Sequence, residues 1–197
     1  MKAQRIPIHG LEDYIQEGHA VCDIYAGRFE ETTRLRPNRV QLHRHDYYEM
    51  FWLDGKGEHF NDFSSHPITR PSLVFVTPGQ VHSWQNAAGM RGTIVCFTQA
   101  FYDGGLPPPS PLLKHVFWHP NNVAPVYSPE PEQAEDFSEL FAEIEREFAE
   151  SKEGFETALG ALLRLVFVRA ERLYQTIPYT QDTKCTAGLV REFHLAL

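Results

Sequence analysis

The chain of 197 residues has few cysteines, no long apolar run and no excess of positive charge. Cys22, Cys96 and Cys185 are odd in number and far apart, which excludes a disulfide framework and a thiolate zinc site. The apolar stretches 73–76 and 165–168 fall far short of the roughly 18 residues that cross a bilayer. Residues 1–10 hold two basic residues but no apolar segment or small-residue cleavage site, so no signal peptide is expected. A cytoplasmic protein without membrane contact follows. The formal net charge is −8, which speaks against this chain gripping a phosphate backbone by itself. Gly-rich phosphate loops and internal repeats are also missing, and no Ser-His-Asp arrangement can be assigned.

The charge is unevenly spread. Residues 128–175 carry 12 acids and 5 bases, whereas residues 1–127 carry 12 and 11. The two regions also differ in pattern. Between about 20 and 100, short β-branched and aromatic runs alternate with turn residues, and strands are expected at 21–29, 40–53, 58–63, 72–77 and 92–97. Turns are expected at 54–57, 64–67, 78–79 and 87–89. Many short strands in one unit predict a barrel or jelly roll. A proline-rich stretch at 104–111 reads as a stiff linker. Beyond Pro131 the period changes to 3.6: Phe137, Leu140, Phe141, Ile144 and Phe148 form one stripe, and Phe155, Leu159, Leu162, Leu163, Val166, Ala170 and Leu173 a second. Two amphipathic helices separated by about four residues should form an antiparallel hairpin. The apolar stripe Leu159, Leu162, Leu163 and Val166 is then the expected dimer face. A last pattern starting at Thr186 runs out at Leu197 without a stop signal, so further chain is expected to follow.

The densest chemistry lies at Leu42-His43-Arg44-His45-Asp46-Tyr47-Tyr48-Glu49. On a strand, His43, His45, Tyr47, Glu49 and Phe51 share one face. Some thirty residues later His82 follows the Pro78-Gly79 turn. Three imidazoles and one carboxylate suit a divalent metal such as Zn, Ni, Fe, Mn or Cu, or the polar floor of a ligand pocket. Trp52, Phe60, Phe75, Trp84 and Phe97 are candidates for pocket lining or for ordinary barrel core. His59, His66, His115 and His119 have no partner pattern and read as surface or loop residues, and Cys96 reads as a buried small hydrophobe.

These segments resemble the two motifs of the cupin superfamily, the first through His43, His45 and Glu49, the second through Gly79, His82 and Asn86. Pro37, Lys56 and Thr77 depart from that pattern without removing a potential metal ligand. The wider runs 43–52 and 73–84 resemble the N-terminal effector-binding domain of AraC/XylS-type transcriptional regulators. The resemblance implies a mainly β fold with α: a cupin-like double-stranded β-helix over 1–105, a linker over 106–130, a helical dimerisation hairpin over 131–178, and at 179–197 the approach to a helix-turn-helix domain that this chain does not contain. It further implies a non-enzymatic homodimer that couples a small-molecule effector to DNA bound through that further domain. His43, His45, Tyr47, Glu49, His82 and Trp84 would form the ligand site, with His43, His45, Glu49 and His82 as possible metal ligands. A different class remains open: a stand-alone metal-dependent cupin enzyme, a dioxygenase or isomerase, built on the same four residues. Fold alone does not decide between them.

Overall fold

The computed structural model describes residues 6–15, 23–62, 64–104, 110–118 and 126–175. Its elements in chain order are β1 (Ile8–His9), α1 (Glu12–Ile15), β2 (Ile24–Arg28), α2 (Phe29–Leu35), β3 (Arg44–His45), β4 (Tyr48–Gly55), β5 (Gly57–Asn61), β6 (Ser64–Ile68), β7 (Ser72–Val76), β8 (His82–Gln85), β9 (Met90–Phe97), α3 (Gln99–Asp103), β10 (Val126–Tyr127), α4 (Pro131–Glu150) and α5 (Phe155–Tyr174). The fold is mainly β with α. A five-stranded antiparallel sheet has the order β10-β7-β4-β9-β2, and a three-stranded one the order β6-β5-β8. β1 and β3 form a short parallel pair.

Among the described residues the sheets do not close into one ring of hydrogen bonds. The chain steps from one sheet to the other at Lys56, between β4 and β5. Gly55 turns there with φ +113, and a Cβ on it would collide with the Gly89 carbonyl, so only glycine makes this step without strain. The two sheets close over a common interior in which Phe51 of β4 meets Trp84 of β8 edge to face, with ring centroids 4.9 Å apart.

The alternation of the central strands explains why they read as unbroken apolar runs. Both faces of the five-stranded sheet are covered. Phe51, Leu53, Val74, Val76, Ile94 and Cys96 face the interior between the sheets. Tyr48, Met50, Trp52, Leu73, Phe75, Val95 and Phe97 face the helix pair. Trp52, Phe75 and Phe97 therefore line no interior pocket. They pack on α4 and α5, where Trp52 lies 5.6 Å from Phe137 and its Nε1 donates to Ser138 Oγ at 3.1 Å. Arg28 of β2 pairs with Glu145 of α4 at 3.3 Å, and Thr93 of β9 also donates to Glu145.

The helices start and stop where local chemistry directs. Pro131 sits in the first turn of α4, and Glu130 and Gln133 form a capping box. Ser151 and Gly154, both with positive φ, end α4 and begin α5. The stripe expected to dimerise is internal: Leu159, Leu163 and Val166 are fully buried against the sheet and α4, and Leu162 is half-buried. The large apolar side chains that α5 leaves exposed are Leu165 and Val168. A hairpin pattern shows which side chains are apolar, and the broad sheet surface decides which of them it covers.

Other expectations shift. Phe29, expected to end a strand, instead begins the helix Phe29–Leu35; a 3-10 turn at Pro37–Val40 takes the start of the long strand expected at 40–53, and a bend at 46–47 divides the rest into β3 and β4. The expected turn at 64–67 is the edge strand β6. Pro67 is tolerated there because an edge leaves one side of the strand without partners. Residues 82–85, assigned no strand from the sequence, form β8. Part of the expected linker, 110–118, folds into two 3-10 turns that bury Leu112, Phe117 and Trp118 in the core beneath the helices. The rest of the proline-rich stretch, the segment 119–125, Cys22 and Cys185, and everything from 176 to 197 lie outside the described residues. Among the described residues no helix is long and apolar enough to cross a membrane.

Candidate functional site

The two histidine motifs are joined through their backbones. His43 N donates to His82 O at 3.0 Å and His82 N to His43 O at 2.9 Å, an antiparallel bridge linking β8 to the segment before β3. Gly79, with φ +84, donates to His45 O at 2.9 Å, so the Pro78-Gly79 turn docks directly on the first motif. The result is a set of four side chains, His43, His45, Glu49 and His82, each only 1% exposed.

Within that set three side chains offer ligand atoms within 4.8 Å of one another: His45, Glu49 and His82. His45 Nε2 lies 3.1 Å and His82 Nε2 3.5 Å from Glu49 Oε2. His43 is next to the group, its ring 4.2 Å from that of His82, but it does not belong to the three. The tautomers of His43 and His45 are dictated locally, since Nδ1 of each faces a backbone carbonyl, Gln41 O at 2.7 Å and Tyr47 O at 2.6 Å. A carbonyl only accepts, so each Nδ1 carries the proton and each neutral ring presents a bare lone pair at Nε2. For His45 this sets a nitrogen lone pair against a carboxylate oxygen at 3.1 Å, out of reach of water. His45 Nε2, Glu49 Oε2 and His82 Nε2 are all buried without a hydrogen-bond partner. Such a contact requires a shared cation, either a proton or a metal ion.

A divalent metal fits these residues. Two imidazole nitrogens and one carboxylate oxygen make a donor set suited to Zn(II), Ni(II) or Fe(II). Its ligands are already oriented by outer partners: Tyr47 O holds His45, and Cys96 Sγ donates to Glu49 Oε1 at 3.7 Å. Beside two of the three donors, Glu49 and His82, lies a cavity of about 10 Å³, lined also by Tyr14, Phe29, His43 and Trp84. That is room for about one water molecule. An organic effector would need the interior to open.

Tyr47 and Trp84 both border the site without belonging to the three donors. Tyr47 stacks on His45 at 4.4 Å, and its hydroxyl accepts from Arg39 at 2.7 Å. Buried Arg39 also holds Asp13 at 3.0 Å, fastening the N-terminal segment, whose His9 lies edge-on to His43 at 5.2 Å. Trp84 stacks on His59 at 4.4 Å. His59 is not the surface residue its sequence context suggests. It is fully buried, with Nε2 3.3 Å from His82 Nδ1. Its role is set by the pairing of β5 with β8, in which His59 lies opposite Trp84, and no spacing in the chain announces it. His115 likewise has partners, Tyr102 Oη at 2.9 Å and Glu171 at 3.3 Å. His66 lies opposite His59 on the edge strand β6, and His119 is outside the described residues.

Burial and charge set the protonation states. Burial pushes Glu49 up, but positive charge on His45 first, then on His43 and Arg39, outweighs it and holds the carboxyl down at about 2, so the ionised carboxylate depends on a cation at His45. Burial drives His43 down to about 4 and His59 to about 3, and takes His82 well below its ordinary value. These three imidazoles are neutral at pH 7, and for His82 that is the state ligation requires. Folded values below the unfolded value mean that, as pH falls beneath about 6.5, the unfolded chain binds protons that the folded chain refuses. Stability is therefore complete above that pH and declines as pH drops toward 4, by about 1.4 kcal/mol per pH unit for each such histidine. Thermal melts of metal-free protein between pH 8 and 4.5 should show this decline, and a flat profile would contradict it.

No protein-family model matches the chain, and no curated protein matches it. Solved structures of ToxT from Vibrio cholerae show a similarity. An apo variant has 13% identity and a TM-score of 0.47, over 87% of this chain and 65% of that one. A second crystal form has 13% identity and a TM-score of 0.42, over 82% and 61%. Wild-type ToxT bound to an unsaturated fatty acid has 15% identity and a TM-score of 0.37, over 75% and 55%. The chain spans less than two thirds of the length of these structures.

Proposed function

We propose that this chain is the sensory and dimerisation module of an AraC-type transcriptional regulator, and that its ligand is a divalent metal ion held by His45, Glu49 and His82. The observation that carries the ligand assignment is the meeting of three buried, unpartnered donor atoms beside a space no larger than one water molecule. The regulator assignment is supported by the two sequence runs that resemble that family and by a helix pair packed on the back of the ligand-bearing sheet. A metal here would act as a charge that draws the two imidazoles and the carboxylate together. His45 and His82 supply neutral nitrogens, Glu49 the negative charge, and Cys96 steadies the carboxylate. β4 carries Glu49 on its inner face and Tyr48, Met50 and Trp52 on its outer face, so a shift of this strand on ligation is passed to α4 and α5. DNA is contacted through a further domain. In a protein that joins this chain to such a domain, binding of operator DNA should change with metal by about 5- to 150-fold, the usual range of coupling between sites. Identical DNA affinity with and without metal would refute the regulator reading.

The alternative, a metal-dependent cupin enzyme, draws on the same donor set. The 10 Å³ cavity disfavours it, because a substrate must reach the metal.

The dimer surface belongs on the outer face of α5. Ala158, Ala161, Leu165 and Val168 recur at alternating intervals of three and four, the spacing of a helix-helix seam, and Leu165 and Val168 are each 40% exposed. The occupant is a second copy in antiparallel orientation. Two-fold symmetry about Leu165 sets Ala161 against Val168 and brings Glu156, near the start of the helix, toward Arg172, near its end. Leu165→Glu should convert the dimer to a monomer in sedimentation velocity without lowering Tm in the monomeric state. A dimer that survives the substitution rules this seam out.

A further inference from the structure

Resting on the metal reading above, we infer that His59 is the positioning residue for His82, and that metal binding reverses the direction of the hydrogen bond between these two imidazoles. His82 differs from His43 and His45 in one respect: its Nδ1 faces another imidazole rather than a backbone carbonyl. Its tautomer is consequently not fixed by the backbone.

Two neutral rings sharing one N···N contact have two arrangements. In the first, His59 Nε2–H donates to His82 Nδ1. His82 then keeps its proton on Nε2 and points it at Glu49 Oε2, 3.5 Å away. In the second, His82 Nδ1–H donates to His59 Nε2, His59 carries its own proton on Nδ1, and His82 Nε2 presents a lone pair toward Glu49. Each ring holds one proton in both arrangements, so the change releases none. Without a cation the first arrangement is preferred, because it gives Glu49 Oε2 a donor. Only the second can ligate a metal, and it exists only if a buried acceptor waits at His82 Nδ1.

His59 is built to be that acceptor. It is fully buried and stacked on Trp84. Its own Nδ1 has no partner, and an unpaired atom there leaves the ring able to hold its proton at either nitrogen. The arrangement is the outer-partner device by which ligating histidines are commonly oriented, supplied here by a second imidazole.

The test is a titration of metal-stripped protein with Co²⁺, followed by its visible absorption, in wild type, His59→Leu and His59→Gln, together with ¹⁵N spectra of the wild-type imidazoles with and without Zn²⁺. His59→Leu removes the acceptor and should weaken Co²⁺ binding by about 10- to 100-fold. His59→Gln, which restores a side-chain acceptor, should recover most of that loss. The spectra should place the His82 proton on Nε2 without metal and on Nδ1 with it. Wild-type affinity in the Leu variant, or a His82 proton already on Nδ1 in the metal-free protein, overturns the inference while leaving the metal site standing. A wild-type chain that takes up no Co²⁺ overturns both. The spectra need only the wild-type fold, so instability of the Leu variant does not blunt the test.

Discussion

Glu49→Gln should abolish metal binding while leaving the metal-free protein, at alkaline pH where His45 Nε2 carries no proton, as stable as wild type or more so. The two effects have opposite signs for one reason. In wild type, the His45 lone pair faces the Glu49 carboxylate at 3.1 Å with no proton between them unless a cation is present. Glutamine keeps the shape and places an N–H at that position, turning an acceptor-acceptor contact into a hydrogen bond worth about 0.5–1.5 kcal/mol. Its Oε1 still accepts from Cys96. The negative charge that attracts a dication is gone, however, and affinity should fall by more than about 100-fold, beyond the range of an outer-partner loss. Thermal melts in chelator and a Co²⁺ titration read the two halves. Unchanged affinity would remove Glu49 from the ligand set, and a collapse of the metal-free fold would show that the carboxylate serves structure instead.

Phe167→Ala tests the other core. Phe167 is fully buried in α5, with its ring 5.9 Å from Phe97 of β9, 5.1 Å from Tyr102 of α3 and 5.6 Å from Trp118 of the 110–118 segment. One side chain thus joins the sheet, the segment after α3 and the helix pair. Truncation should cost about 3–5 kcal/mol, the usual range for a buried phenylalanine, and lower Tm by roughly 10 °C at this chain length. A loss under about 1 kcal/mol would mean that the helices do not seal the back of the sheet. Metal affinity should change little, because no atom of Phe167 approaches the interior between the sheets.

The site and the fold were legible in the sequence to different depths. Period-2 alternation puts His45 and Glu49 inward and Tyr48, Met50 and Trp52 outward, and the Pro78-Gly79 turn announces that His82 re-enters beside them. The helix pair is equally plain, since the five apolar residues of its first stripe are the five that α4 buries. What the chain conceals is set by neighbours distant in sequence. His59 looks isolated because its partner arrives through the β5–β8 register. His43 shares the parity of His45, yet its Nδ1 is turned onto Gln41 O and its ring flanks the donors instead of joining them. Pro67 reads as a turn residue until the strand around it is seen to be an edge. The α5 stripe reads as an interface because periodicity counts apolar residues without knowing that the sheet covers Leu159, Leu163 and Val166.

The metal content of the protein decides whether His45, Glu49 and His82 form a metal centre. Wild-type chain expressed in rich medium and purified without chelators or a metal-affinity step should contain close to one transition-metal ion per chain by elemental analysis. After stripping, it should take up one equivalent of Zn²⁺ in a calorimetric titration that Glu49→Gln and His82→Ala abolish. A wild-type protein that is metal-free as purified and shows no Zn²⁺ uptake would rule out a metal centre, leaving His45 and Glu49 as a buried imidazolium-carboxylate pair with a structural role.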